Sequence, residues 1–340
     1  MRRLAKRSCQ VALASYMRGR CRFPGSSLVI LTYHRVLPAG HPDLPIMQPG
    51  MVVTPESFRT HIRWLRQYFD IVKLGEWVRG IGQGQGFEQP RKACAITFDD
   101  GWRDTFQFAF PILEHEQVPA TIFLVSDMVG TANSFWPERL ARLLWNNGAG
   151  LSREVRLSPE HSWLRGLGLS ELPDGEAPDR NFLDRVIQRA KRYSDDFLNE
   201  QIGLLEESAH MKPPPQPDVL DWDQVRTTVR SGLIDIGSHG RTHTRLNEGM
   251  ASERIENEIR GSKELIEQKT GCRVHLFCYP NGDVTPLSEQ LVGEHYLAAC
   301  TTSRGWNSRE ADRYRLKRIS IHEDATHDRT PFLAKLSGFL

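Results

Sequence analysis

Apolar residues in this chain gather into short runs separated by helical patterns. The runs are SLVILTY (27–33), DIVKL (70–74), ACAITF (93–98), ATIFLV (120–125), LIDIGS (233–238), HLFCYP (275–280), YLAACTT (296–302) and YRLKRISI (314–321). Several are apolar almost throughout, as expected of parallel strands covered on both faces. Between them, TPESFRTHIRWLRQY offers Thr54 as an N-cap, Pro55 at the first helical position and Phe58, Ile62 and Leu65 along one stripe. SERIENEIRGSKELIEQKTG spaces Ile255, Ile259, Leu265 and Ile266 in the same way and stops at Gly271. Seven or eight such alternations predict a doubly wound sheet or a (β/α) barrel, and both folds place their sites at the C-terminal ends of the strands.

The alternation breaks between about residues 131 and 230. FWPERLARLLWNN is an amphipathic helix, GLSELPDGEAPDRN is polar and turn-rich, and KPPPQP at 212–217 is a stiff extended connector. This stretch is expected to be a mostly helical insertion in the main fold. No repeat of fixed period is present.

Composition narrows the classes. The chain has 340 residues, 39% of them hydrophobic, and 44 basic against 42 acidic residues leave a net charge of +2. That balance gives no reason to expect a nucleic-acid partner. The charge is uneven: Arg2, Arg3, Lys6, Arg7, Arg18, Arg20 and Arg22 precede any acidic residue. Residues 1–26 therefore form a basic N-terminal extension. Its apolar middle, Val11 to Ala14, is too short for a secretion signal and is closed by Arg18. The extension is either a helix lying on anionic lipid or a solvated arm. No run approaches the ~18 apolar residues of a membrane span. Six cysteines, at 8, 21, 94, 272, 278 and 300, show no framework spacing, which suggests a reducing compartment. The expected location is the cytoplasm, at the inner membrane if the arm is the lipid-lying helix, with secretion the less favoured alternative.

Polar clusters follow three of the predicted strands. Asp99 and Asp100 end one run and precede Gly101. A D-D-G corner can be a plain turn. Neighbouring strand residues point to opposite faces, however, so two adjacent acids can serve one site only where the strand ends and the chain turns. Two carboxylates that close do not both ionise comfortably unless a cation takes one of them. His239 and His243, four apart in SHGRTH, would lie on one side of a helical turn, as two metal ligands need. Such pairs also arise by chance in surfaces and cores. Two imidazoles with one carboxylate make a three-ligand catalytic set with an open position for water.

The ordered motifs TFDDG (97–101), SHGRTH (238–243) and FCYPNG (277–282) resemble those of the NodB-type polysaccharide deacetylases, carbohydrate esterase family 4. LTYHRV (31–36) is similar to the branch in which a Tyr-His strand precedes the acid pair. The resemblance covers about residues 28–322 apart from the insertion. It implies a distorted (β/α)₇ barrel over 27–340, with the insertion at about 131–230, and a divalent metal, usually zinc, at the strand ends. It also implies that Asp100, His239 and His243 hold the metal, that Asp99 is the general base, and that a backbone N–H at Asn281 meets the oxyanion. The general acid would be His34, with His322 as its rival. The third motif commonly reads Arg-x-Pro-Tyr, its arginine orienting the base. Here Cys278 and Asn281 occupy those places, while the Tyr279-Pro280 form is familiar in the Tyr-His branch. The partner of the base is left to Arg318, for which a structural salt bridge is an equal reading.

The implied function is metal-dependent N-deacetylation of amino sugars in a bacterial surface polysaccharide or its lipid-linked precursor. The partner would be an N-acetylated oligo- or polysaccharide. The alternative is a catalytically silent carbohydrate-binding or scaffolding protein on the same barrel. Glycosidic hydrolysis by Asp99 and Asp100 fails on geometry, since adjacent residues cannot readily flank a bond at the ~5 Å or more required. Trp102, Trp136 and Trp306 could stack on sugars but are read as packing.

Overall fold

Seven of the apolar runs become the strands β1 (Ser27–Tyr33), β2 (Lys92–Phe98), β3 (Ala120–Leu124), β4 (Ile234–Ser238), β5 (Leu276–Cys278), β6 (Ala298–Arg304) and β7 (Leu316–Ser320) in the computed structural model. The structure describes residues 7, 10–15, 27–81, 92–147, 159–169 and 178–338. Every neighbouring pair is parallel, in the order β1-β7-β6-β5-β4-β3-β2. The ring closes through β1 and β2, which pair along their whole length from Ser27↔Lys92 to Tyr33↔Phe98. The result is a closed seven-stranded parallel barrel, the distorted (β/α)₇ form expected from the motifs. DIVKL departs from its predicted strand. Only Asp70–Ile71 pairs with β2, outside the ring, and the chain enters helix α2 (Leu74–Ile81) at Leu74.

Helix α1 (Pro55–Leu65) begins as its cap signals require, with Thr54 Oγ1 accepting from the Ser57 N–H and Pro55 at the first position. Between the later strands run α3 (Phe110–Glu116), α7 (Trp222–Arg230), α8 (Ser252–Glu256), α9 (Ser262–Thr270) and α10 (Pro286–His295), and α11 (Arg329–Leu336) follows β7. Helices α8 and α9 belong to the single predicted helix, joined by a π-helical turn at Asn257–Gly261 and stopped by Gly271 at φ 73°. No described helix is long and apolar enough to cross a membrane.

Strand alternation fills the barrel. Leu28 and Ile30 of β1, Ala93 and Ala95 of β2, Leu276 and Cys278 of β5, Cys300 of β6 and Leu316 of β7 belong to one buried cluster, joined by Phe123 and by Leu74, Trp77 and Val78 of α2. Two residues further along the same faces come Thr32, Thr97 and Arg318, and then Asp99, all buried. The lumen therefore changes from apolar to polar towards the C-terminal ends of the strands.

The chain divides into two compact units. The barrel unit comprises residues 1–38, 52–131 and 219–340. The other comprises 39–51 and 132–218, and contains α4 (Trp136–Asn147), α5 (Arg180–Ala190) and α6 (Asp195–Ser208). Leu140, Leu144, Val186, Ile202 and Leu205 are buried, Arg139 pairs with Glu206 at 2.7 Å, and Trp136 donates to Asp195 at 3.0 Å. The sequence placed the insertion at about 131–230. The contacts instead group 219–230 with the barrel, where α7 packs on β4 and α9, and add 39–51 to the helical unit.

His61 of α1 is buried between Tyr33 and Phe332. Its Nε2–H donates to the Thr326 carbonyl at 2.8 Å, its Nδ1 lies 3.3 Å from the Tyr33 hydroxyl, and its ring stacks on Phe332 with centroids 4.4 Å apart. Burial pushes its pKa from 6.5 down to about 4, against the smaller upward pulls of the Thr326 carbonyl and Glu323. Because the folded value lies below the unfolded one, the unfolded chain binds the extra proton between those limits. Stability is then complete above pH 6.5 and falls as pH drops towards 4, by roughly 3 kcal/mol at most from this residue. His61→Gln keeps a donor for Thr326, and its urea midpoint should fall less than wild type between pH 7 and pH 4.5. Equal slopes would show that His61 is not the titrating group.

Candidate functional site

Backbone conformation lets the adjacent acids serve one site. Asp99 continues the inward face of β2, whereas Asp100 has φ 73° and Gly101 also has φ 73°. Asp100 is thereby turned back to the same end of the lumen. A Cβ on Gly101 would lie 2.8 Å from Leu124 Cδ2, so glycine is required there by space as well as by φ.

Asp99 is gripped on both oxygens. Arg318 Nη1 donates to Oδ1 at 2.7 Å and Nη2 to Oδ2 at 2.8 Å, with both side chains 3% exposed. Arg318 is fixed in turn by Nε to the Thr301 carbonyl at 2.9 Å and Nη1 to Thr32 Oγ1 at 2.5 Å. Burial alone would raise the Asp99 pKa, but the Arg318 charge, helped by His239, holds it far below the usual carboxylate range. Asp99 is therefore ionised at any ordinary pH. Cys278 Sγ, on β5, lies 3.8 Å from Asp99 Oδ2. Burial pushes the thiol pKa well up, which keeps it neutral.

Asp100 faces the imidazoles. Its Oδ1 lies 3.4 Å from His239 Nε2 and 3.4 Å from His243 Nε2, while its Oδ2 accepts from Trp102 Nε1 at 2.9 Å. His239 follows β4 directly, and its Nδ1 is 2.7 Å from the Cys278 carbonyl. A carbonyl only accepts, so the proton sits on Nδ1 and the Nε2 lone pair points at Asp100. Burial pushes the His239 pKa down to about 4, leaving the ring neutral. The expected helical turn between the histidines is absent. The segment 239–243 is a loop with Gly240 at φ 80° and His243 at φ 63°, and it is the loop that folds both rings to one side.

The three atoms fit a metal ion. All lie within 4.8 Å of one another. A tetrahedral site with bonds of ~2.0–2.1 Å has ligand edges of about 3.3 Å, close to the separations found. Without a cation the arrangement would aim an anionic oxygen and the His239 lone pair at one point, with His243 Nε2 3.4 Å from the same oxygen. Asp99, His239 and Cys278 form a second cluster of the same tightness. It fits less well, because Asp99 is committed to the guanidinium and Cys278 holds its proton.

Three other expected residues stand at the same barrel end. His34 follows β1, with Nε2 3.9 Å from Asp99 Oδ2 and a buried Nδ1 that has no hydrogen-bond partner among the described residues. His322 follows β7 but engages Lys335 Nζ at 2.8 Å. Asn281, at φ 54°, sits in the turn Pro280–Gly282 immediately beyond β5.

Two positioning residues escaped the sequence reading. Trp102 holds Asp100, with Arg35 stacked on its ring at 4.4 Å. Glu258, in the π-helical turn, is buried and accepts from the N–H groups of Arg241 (2.7 Å) and Thr242 (3.0 Å) and from Thr242 Oγ1 (2.7 Å). It thus shapes the histidine loop. The signal was present: Glu258 lies three residues after Ile255 and next to Ile259, an acid on an otherwise apolar stripe. Trp306 donates to the Leu336 carbonyl at 2.7 Å, as packing predicts.

Comparison with known proteins follows the same lines. The family model described as polysaccharide deacetylase matches residues 87–152 and 185–299. The Bacillus subtilis protein YxkH, named for the same family, is 24% identical over 225 residues, 63% of this chain and 74% of its own length. A Staphylococcus epidermidis poly-beta-1,6-N-acetyl-D-glucosamine N-deacetylase is 26% identical over 126 residues, 34% of this chain and only 41% of its own length. The structure of IcaB from Ammonifex degensii superposes with a TM-score of 0.57 at 16% identity, covering 92% of this chain and 98% of that one, a likeness of fold.

Trp102→Phe keeps the ring under Arg35 but removes the N–H that fixes Asp100. Zinc affinity, measured by competition with a chromogenic chelator, should fall about 10- to 100-fold with the circular dichroism unchanged. Unaltered affinity would show that Asp100 needs no such support.

Proposed function

Because the chain belongs to the polysaccharide deacetylase family, and is by that membership a carbohydrate deacetylase, we propose that it removes N-acetyl groups from amino sugars of a bacterial surface polysaccharide or its lipid-linked precursor. The observation that carries this reading is the convergence of Asp100, His239 and His243 beside an ionised Asp99 held by Arg318. A silent carbohydrate-binding or scaffolding barrel would have no use for that set. The Tyr33-His34 end of β1 supports assignment to the Tyr-His branch.

Asp100, His239 and His243 would hold a divalent metal, with zinc favoured by one carboxylate and two imidazoles. A cation bound there supplies a Lewis acid that polarises the amide carbonyl and eases deprotonation of water. Asp99 takes the proton from the attacking water. Arg318 keeps Asp99 ionised and in one orientation, leaving the outer lone pairs of its oxygens for that proton. The Asn281 N–H would meet the oxygen that gains charge as water adds to the carbonyl. The leaving nitrogen must be protonated before the C–N bond breaks. His34 is the favoured donor because it lies beside Asp99, whereas His322 is engaged with Lys335.

The substrate class draws on the Staphylococcus epidermidis relative, so a β-1,6-linked N-acetylglucosamine oligomer is the first substrate to try. A cytoplasmic chain resting on the inner membrane through its basic arm would suit a lipid-linked precursor. The charges at 2, 3, 6, 18, 20 and 22 lie outside the described residues, whereas residues 10–15 are helical with Val11 51% exposed. The four cysteines among the described residues are free thiols, in keeping with a reducing compartment.

Acetate release from that oligomer, with metal content measured on the same samples, tests the assignment. Asp99→Asn should retain zinc and lose at least about 10³-fold in kcat. Asp100→Ala and His239→Ala should lose both zinc and turnover. Wild-type protein that binds zinc yet releases no acetate would return the silent reading. Arg318→Gln should lower kcat about 10²-fold with KM little changed and destabilise the fold by about 3 kcal/mol, because it leaves Asp99 buried without its cation. Arg318→Lys should recover part of the rate. Equal rates in all three proteins would reduce Arg318 to a structural salt bridge.

A further inference from the structure

A cavity of about 880 Å³ in the barrel unit shares no lining residue with the metal-ligand cluster and is lined by the N-terminal helical residues, by Arg304 of β6 and by residues from Asp324 to Lys335. Its size is that of a small-molecule site. Arg7, Arg304, Arg329 and Lys335 face it against Asp324 and Asp328. Both acids have histidine neighbours: Asp324 Oδ2 lies 3.9 Å from His322 Nδ1, and Asp328 Oδ2 lies 3.2 Å from His327 Nε2. Arg329 is bound to Gln67 and Tyr68. Arg304 has no hydrogen-bond or ion-pair partner among the described residues. Lys335 is 8% exposed, and the contact of its Nζ is with an imidazole nitrogen, not a carboxylate. Burial, with the Arg304 charge second, pushes its pKa down to about 8.

The buried Lys335 amine has a second cation near it, and neither Lys335 nor Arg304 is within ion-pair distance of Asp324 or Asp328, an arrangement that an entering anion would stabilise. We propose that this cavity binds a phosphate group, held by Lys335 and Arg304 with Arg7 contributing from the N-terminal helix. A phosphate presents oxygens around a tetrahedral centre and can meet cations on separate walls, which the two coplanar oxygens of a carboxylate do less well. The group could be a free phosphate or the headgroup of an anionic lipid. Val11, exposed and also lining the cavity, offers apolar contact to the second source. The proposal does not depend on the deacetylase reading, since its test needs no turnover.

Two probes distinguish the sources, both used at 0.15 M salt so that loose surface attraction is screened. Inorganic phosphate and pyrophosphate are titrated by calorimetry. Vesicles of phosphatidylcholine, with and without phosphatidylglycerol, are used in co-sedimentation. Arg304→Glu, at an exposed position, and Lys335→Met should each weaken binding at least tenfold. Arg304→Glu should leave acetate release from a soluble oligomer unchanged. Binding of the soluble probes alone, lost in both variants, assigns a free phosphate. Sedimentation with phosphatidylglycerol vesicles that is lost in Arg304→Glu and competed by pyrophosphate assigns a lipid headgroup. The proposal is overturned if neither probe binds, or if binding to either is the same in Arg304→Glu as in wild type.

Discussion

Two consecutive residues in the left-handed region of backbone space, Asp100 and Gly101, allow the rest of the site to exist. In an extended strand their neighbours would alternate between faces, and one of the two acids would point away from the lumen. The left-handed turn cancels that alternation at the cost of roughly 1–2 kcal/mol for a residue with a side chain. Aspartate is among the residues that tolerate it best. Two carboxylates then share one small buried space, and their repulsion has to be relieved on both sides. Arg318 relieves it at Asp99, and the imidazole pair with its implied cation relieves it at Asp100.

The two acids end in different electrostatic states because their partners differ in kind. A guanidinium in a dry lumen keeps the resting Asp99 ionised, tied in the plane of a bidentate pair. The neutral His239 imidazole can offer a lone pair but no charge, so Asp100 is the member that calls for a metal. In the family's common pattern the arginine comes from the strand that here carries Cys278. In this chain it comes from β7, and a neutral thiol stands in its former place 3.8 Å from the base. A closed ring lets a strand other than the one carrying Cys278 supply the cation, because every strand faces the same lumen.

The loop between His239 and His243 shows how much of the site is held by groups that touch no ligand. Glu258 accepts two backbone N–H groups and a hydroxyl from it, and sits in a π-helical turn that interrupts α8 and α9. Such turns insert one residue into a helix and re-aim the side chains around it. A regular helix would carry the acid along its apolar stripe, and the extra residue lets it reach the loop instead. Trp102 does the same for Asp100 with a single N–H.

The seven barrel strands, the helix caps and the clustering of polar residues just beyond strand ends were legible in the chain itself, because each follows from local spacing, whereas DIVKL was too short to hold a barrel strand. Apolar runs of six to eight residues make covered strands, and Thr54-Pro55 starts a helix. The two acids and two histidines could likewise be picked out from residue type and order, helped by the likeness to a family. Tertiary structure alone decided the rest. That Arg318 meets Asp99 across 219 residues depends on the register of β7 against β1. That His239 and His243 converge through a loop, not a helical turn, depends on Glu258. The edges of the helical insertion, and the inclusion of 39–51 with it, depend on contacts between segments far apart in sequence. Local pattern specifies what an element is, whereas long-range pairing specifies which side chains it brings together.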